Sequence, residues 1–371
     1  MMSARFLIAA SGRAFNMRDR FGREIDYMRI SVIDSCNLNC YYCNPCDNNE
    51  HCHALNILSV KEVLCIVRAA TRLGIKHFRL TGGEPLLHPQ LDEMVLQIKK
   101  IPGVSSVSLT TNAVLLAQHA KWLKEAGIDS INVSLDTIDA SEYERITKKP
   151  LLEEVKHGIN AAIECGIRVK INVVLTPQTD VVALTRYVAK KGTDIRFIEM
   201  MPVGEGHTNG VEPYKKVIGT LSKLYGEPCR INTEKTKEIN SGNDKRKIPD
   251  NGPAEYYIFP ELGIRVGLIQ AIHGKFCATC NRIRVTADGR LMPCLGSSVT
   301  MDLVPDSCEF TDDLEKDFVI VQALKAAIKA KPGCHNFNDN AVTYTKTTET
   351  KTTELKAAEV NAARNMSRIG G

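Results

Sequence analysis

Short β-branched runs alternate with longer stretches of helical character from about Met28 to Glu199. The strand-like runs are "MRISVID", "HFRLTGG", "VSLTTN", "INVSLD", "RVKINVVL" and "IRFIEM". Between them, "SVKEVLCIVRAATRLG", "HPQLDEMVLQIKK", "LLAQHAKWLKEAG", "LLEEVKHGINAAIECG" and "VVALTRYVAKKG" read as helices. Ser59 stands where an N-cap is expected, and Gly74, Gly127, Gly166 and Gly192 stand where helices end. Six βα units in sequence predict a parallel sheet with right-handed crossovers. Eight would close a full barrel, so six predict an α/β fold built on a partial, open TIM-type barrel.

Parity within the strands says more than their existence. Arg29 and Ser31 share a face, as do His77, Arg79 and Thr81, Ser108 and Thr110, Asn132, Ser134 and Asp136, and Lys170 and Asn172, while Arg196 adds a further cation. The alternate positions are mostly Met, Ile, Val, Leu and Phe. Parallel strands are normally apolar on both faces. For any single strand an exposed edge would explain the pattern. Across five strands it predicts a polar interior that holds a ligand, and repeated Arg and Lys point to phosphate or carboxylate on that ligand.

After about Met200 the alternation stops. Residues 22 to 200 read as the barrel core, 201 to 335 as an extension with strand-like "EYYIF" and "IRVGLI" and a helix near 312 to 330, and 336 to 371 as a Thr-, Lys- and Glu-rich tail ending in Gly-Gly. The net charge of +5 on 371 residues is too small to argue for nucleic acid, and no apolar run approaches a membrane span. "FLIAA" is too short for a signal-peptide core, which predicts a cytoplasmic protein. Thirteen cysteines without an export signal predict metal ligands in a reducing compartment.

Cys36, Cys40 and Cys43, spaced C-x3-C-x2-C, follow the first strand directly. Three thiolates hold three irons of a 4Fe–4S cluster and leave one iron open; a zinc site is the alternative. Cys46 follows the turn-forming "NP" and is assigned as a bystander, with Cys52 as its candidate partner on oxidation or for a stray metal. With "GGEP" after the second strand, the cysteine spacing resembles the radical S-adenosylmethionine enzymes. That resemblance implies S-adenosylmethionine on the open iron, Tyr42 against its adenine, Gly83 and Glu84 at its methionyl group, and Ser134 and Met201 near the nucleoside.

Cys277, Cys280 and Cys294 form a second set of three, with zinc bound also by a residue such as His273 as the alternative. "FCATCNRIR", "GPAEYY", "IRFIEMMPVGEG" and the terminal "IGG" are similar to the GTP 3′,8-cyclase family of molybdenum cofactor biosynthesis. The resemblance implies a second 4Fe–4S cluster, guanine docked on its open iron, and Arg29, Arg79, Thr110, Lys170, Arg196, Arg282 and Arg284 around GTP. Among these, Arg29, Arg282 and Arg284 are expected to serve the chemistry by supplying a proton or stabilising a radical. His77 departs from the family's usual lysine, and Gly370 and Gly371 match its terminus. The family also implies a one-electron reductant such as flavodoxin or ferredoxin, hand-over of product to cyclic pyranopterin monophosphate synthase, and compatibility with a homodimer. Two other readings stay open: a radical peptide-modifying maturase with an auxiliary cluster, and a non-catalytic metal-binding module.

Overall fold

The computed structural model describes residues 17–43, 56–203, 210–231, 252–297, 299–303, 313–335 and 337. Cys46, Cys52, Gly370, Gly371 and the tail beyond residue 337 lie outside them.

The six expected strands are present as β1 (Tyr27–Ser31), β2 (His77–Thr81), β3 (Ser106–Thr111), β4 (Ser130–Ser134), β5 (Val169–Val174) and β6 (Asp194–Ile198). They pair in chain order, all parallel. The crossovers contain α1 (Val60–Arg72), α2 (Leu91–Lys99), α3 (Leu116–Glu125), α4 (Ala140–Thr147), α5 (Leu152–Glu164) and α6 (Val181–Lys190). Helix α4 was not anticipated; its signal is Asp139, whose side chain accepts from the Glu142 amide as an N-cap. Ser59 and Glu62 form a reciprocal capping box at α1. Gly74, Gly127, Gly166 and Gly192 all adopt positive φ just past helix ends, as expected.

The sheet does not stop at six strands. Beyond residue 200 come α7 (Gly219–Tyr225), β7 (Cys229–Ile231), β8 (Glu255–Ile258), β9 (Arg265–Ile269), β10 (Arg282–Val285), β11 (Arg290–Met292), β12 (Met301–Asp302) and α8 (Asp313–Ala330). Strand β9 adds in parallel beside β6, and β10 adds in parallel beside β1, at the opposite edge. The strand order is β12-β11-β10-β1-β2-β3-β4-β5-β6-β9-β8-β7. Eight parallel strands therefore sit side by side, flanked by antiparallel strands rather than joined into a closed ring. Residues 270 to 281, which run from one parallel edge to the other, carry Cys277 and Cys280.

Alternation explains how this sheet is held. Met28, Ile30, Phe78, Leu80, Val107, Leu109, Ile131, Val133, Ile171, Val173, Ile195 and Phe197 are all at most 1% exposed and belong to one apolar core. Each such side chain stabilises the fold by about 1.5–3 kcal/mol relative to exposure. Because the apolar face secures the sheet, the opposite face is free to carry charge.

Gly82 and Gly83 close the end of β2 against the loop leaving β1. A Cβ on Gly82 would lie 2.3 Å from the Ile33 carbonyl oxygen, and one on Gly83 would lie 2.1 Å from that of Ser35. The absence of side chains thus lets the backbone before Cys36 dock, a role beyond the ligand approach inferred from sequence. Gly83→Ala is expected to lower unfolding stability by about 1–3 kcal/mol through overpacking, measured by chemical denaturation.

Candidate active site

Strand register turns the inward parity into rows. Arg284 pairs with Arg29, Arg29 with Arg79, and Arg79 with Ser108. Arg282 lies beside Tyr27, and Tyr27 beside His77. Thr110 pairs with Asn132 and Asn132 with Lys170, while Asn172 pairs with Arg196. Every one of these residues lines a single cavity of about 660 Å³, so the sheet curls around it. The expectation of a polar interior holds.

The two thiol groups lie at opposite ends of that cavity. Cys36, Cys40 and Cys43 follow the C-terminal end of β1, where open α/β sheets usually bind ligands. Cys277 and Cys280 precede the N-terminal end of β10, whose Arg282 is level with Tyr27 at the start of β1. From Tyr27 to Ser31, β1 rises about 13 Å. Cys294 follows β11 and lines the same wall. The cations fill the space between.

The thiols are near enough to influence one another. Burial raises all three of the first group, Cys36 to about 11 and Cys43 to about 12, with Cys40 pushed up further by Cys43 and Asp136. In the second group burial works to raise Cys280, but Lys331 and Arg282 outweigh it and its pKa falls. Burial raises Cys294, with Cys280 adding to the effect. Three thiols lie at each end, those of the first group held protonated mainly by burial, and both sets are donors that iron would occupy. Among the described residues, no three His, Cys, Asp or Glu side chains form a group that would hold a single metal ion. His273 does not line the cavity with these thiols; its Nδ1 and backbone N–H hydrogen-bond Glu199. Exposed Cys334 lines the cavity too, although its sequence spacing gave no sign of this.

Crowding of like charge dominates the middle. Burial, then Arg284 and Arg79, push the Arg29 guanidinium well below its usual range. Burial and Arg282 bring Arg284 down to about 10. The three acids on the cavity wall are engaged elsewhere: Asp129 with Lys99, Asp136 with Tyr42, and Glu199 with His273. Arg282 Nε and Arg196 Nη2 are buried without a hydrogen-bond partner among the described residues. Arg196 Nε donates to Asn172 Oδ1 at 2.9 Å, and Gly267 leaves room for its stem, since a Cβ there would lie 2.8 Å from Arg196 Cγ. Lys170 lies over the Tyr256 ring, 5.9 Å from its centroid. Such a cavity favours a polyanion.

Most of the expected contact residues meet here. Tyr42, Gly83, Ser134 and Met201 line the first-cysteine end or the wall beside it. Tyr42 donates to Asp136 Oδ2 at 2.5 Å. Glu84 requires a correction. It is fully buried and absent from the cavity wall, and its carboxylate accepts from the Leu86 and Asn112 amides and the Thr111 hydroxyl. It braces the wall instead of presenting an acceptor to a ligand ammonium, and burial lifts its pKa to about 7. His77 faces the cavity with Nδ1 on Ser106 Oγ at 2.8 Å, and burial lowers its pKa, so it is neutral near pH 7.

Sequence reasoning missed Tyr27, Arg168, Glu199 and Lys331, all on the cavity wall. Tyr27 shares the parity of Arg29 and accepts from Arg79 Nε. Burial alone would raise its phenol, yet Arg79, Arg29 and Arg282 together lower it. Glu199 was legible only as part of "IRFIEM"; it accepts from the Ile272 and His273 amides and so pins the crossing loop to β6.

Residues 30–183 match the radical SAM superfamily and residues 193–337 match Molybdenum Cofactor Synthesis C. A GTP 3′,8-cyclase of Clostridium perfringens strain SM101 is 36% identical over 86% of this chain and 95% of its own length. The chain belongs to the GTP 3′,8-cyclase family. Within that family the cyclase of Petrotoga mobilis is 35% identical over 87% of this chain and 96% of its own. The one from Listeria monocytogenes EGD-e is 36% identical over 86% and 92%. Among solved structures, Streptococcus suis SuiB superposes with a TM-score of 0.53 at 15% identity, over 80% of this chain and 65% of that one. The same protein bound to S-adenosylmethionine gives 0.50 over 81% and 65%. These likenesses concern the fold, and they agree with an open radical SAM barrel.

Burial raises Asp136 from the usual carboxylate range to about 6. A carboxyl whose folded pKa is raised contributes stability below its unfolded value near 3.8 and loses it as pH rises through about 6. The metal-free protein is therefore expected to lose stability between about pH 4 and 6, and Asp136→Asn to flatten that slope, measured by urea unfolding across pH.

Proposed function

We propose that this chain is a radical cyclase that converts GTP to 3′,8-cyclo-7,8-dihydro-GTP, the first step of molybdenum cofactor biosynthesis. One observation carries the reading: a cation-rich cavity with three thiols at each end. The extent of the similarity to named GTP 3′,8-cyclases supports the same substrate.

Cys36, Cys40 and Cys43 hold one 4Fe–4S cluster, and Cys277, Cys280 and Cys294 hold the other. When bound, the first cluster with S-adenosylmethionine supplies a 5′-deoxyadenosyl radical, and the second offers an iron to guanine. Tyr42, Gly83, Ser134 and Met201 position S-adenosylmethionine, and buried Glu84 fixes the wall behind it. Arg29, Arg79, Thr110, Lys170 and Arg196 hold the triphosphate and ribose, which brings C3′ within reach of abstraction and C8 within reach of C3′. Arg282 and Arg284, with Arg29, face the guanine end and stabilise charge as N7 gains an electron and a proton. The buried sheet keeps water and stray hydrogen donors away. A one-electron reductant such as flavodoxin or ferredoxin, hand-over to cyclic pyranopterin monophosphate synthase, and a cytoplasmic setting fit this chemistry. Among the described residues, no helix is long and apolar enough to cross a membrane.

The peptide-maturase alternative draws on the same fold, since SuiB bound to its precursor peptide SuiA superposes with a TM-score of 0.51 at 15% identity. A barrel shared at that identity does not carry a substrate. Anaerobically purified protein is expected to contain about eight irons and to form 5′-deoxyadenosine only with GTP. Zinc in place of iron, or no GTP-dependent cleavage, overturns the cyclase reading. Cys43→Ser should lose the first cluster, whereas Cys46→Ser should keep it.

Neutral His77 leaves one wall position short of a cation. His77→Lys is expected to tighten GTP binding by about tenfold, the effect of one added charge-assisted hydrogen bond of about 1.5 kcal/mol, read by equilibrium dialysis.

A further inference from the structure

After α8 the chain turns beneath the second thiol group, and Lys331, Pro332, Cys334 and His335 line the cavity there. Lys331 is only 2% exposed. Its Nζ donates to the Arg282 carbonyl at 2.7 Å and to the Pro293 carbonyl at 2.9 Å. Arg282 is two residues after Cys280, and Pro293 directly precedes Cys294. One ammonium thus ties together the two segments that carry these thiols. The same ammonium shares the cavity wall with Cys280 and Cys294. No carboxylate pairs with Lys331 among the described residues. Burying an ammonium without a counter-ion is costly, and the negative charge available here is that of cysteine sulfur.

Arg23 provides an internal contrast. Its Nη1 donates to the Cys277 carbonyl at 2.7 Å and the Gly333 carbonyl at 3.2 Å, and its Nη2 to the Pro332 carbonyl at 2.6 Å. It therefore also ties the turn after α8 to a cysteine segment. Asp19 Oδ2, 2.6 Å from Arg23 Nε, neutralises it. Arg23 fastens backbone without adding net charge, whereas Lys331 fastens backbone and adds a full positive charge beside sulfur.

We propose that Lys331 is a positioning residue of the second cluster that also sets its reduction potential, by aligning the Cys280 and Cys294 segments and placing a buried positive charge beside them. The proposal rests on the reading that Cys277, Cys280 and Cys294 hold an iron–sulfur cluster. Reduction adds negative charge to a cluster, so a buried cation close to it favours the reduced form and raises the potential.

The test uses the full chain with both clusters reconstituted anaerobically, iron and sulfide counted, and each cluster followed by EPR-monitored redox titration. Lys331→Met is expected to shift the second midpoint to more negative values and leave the first unchanged, while Lys331→Arg stays near wild type. Arg23→Lys, which keeps a neutralised pair with Asp19, should leave both midpoints in place. Should Lys331→Met fail to load the second cluster, rescue of loading by Lys331→Arg supports the same role. An unshifted second midpoint in fully loaded Lys331→Met overturns the proposal. So does loss of the second cluster from Lys331→Met and Lys331→Arg alike, which marks a lysine-specific packing role. Wild-type protein with only one cluster would instead remove the assignment of the second thiol group itself, and this proposal with it.

Discussion

Repulsion among guanidinium groups on the concave face is the constraint around which the molecule is arranged. Arg284, Arg29 and Arg79 stand side by side on adjacent strands, and Arg282 enters from the same edge. Adjacent strands lie about 4.8 Å apart, so the backbone brings these charges closer than they would settle in water. What opposes the repulsion is on the other face, where Met28, Ile30, Phe78, Leu80, Ile283 and Val285 are buried. Alternation within each strand couples the two: the residues that fasten the sheet also fix where the cations point. A ligand carrying several negative charges relieves a strain that the apolar face imposes.

The two thiol groups are placed by different means. The first follows a tightly specified strand end, where Gly82 and Gly83 let backbone pack on backbone. The second sits on a chain segment that crosses between the parallel edges, and it depends on long-range fasteners: Glu199 on the Ile272 and His273 amides, Asn281 on Asp26, Arg23 and Lys331. Separating the two thiol groups by the length of one strand leaves room for a nucleotide-sized ligand between them. It also keeps each group's surroundings distinct, with burial alone dominant at one end and cations offsetting it at the other.

Much of this was legible in the chain because it is local. Strand parity depends on residues two apart, so Arg29, Arg79, Lys170 and Arg196 announced a polar interior before any pairing was known. Cysteine spacing is equally local, and all six expected thiols reach the cavity. What could not be read was non-local. Nothing near Arg282 says that "RIRV" joins β1, a partnership across about 250 positions that, together with β9 beside β6, raises the parallel strands from six to eight. Nothing in the sequence around Arg23 shows that its partners lie up to 310 positions away. Glu84 failed for another reason: the motif identifies the residue, while the direction of its carboxylate is decided by Thr111 and the Asn112 amide.

The pairing of β10 with β1 has a consequence for the order in which the molecule is made. Asn281 and its partner Asp26 are separated by 255 positions. At about 5–20 residues per second of synthesis, the emerging first half waits roughly ten seconds to a minute for its last parallel strand. Throughout that interval Arg29 has not yet met Arg284, and the cavity stands open along the edge of β1. The crowding of positive charge thus arises only when the last parallel strand to be made brings Arg282 and Arg284 beside β1.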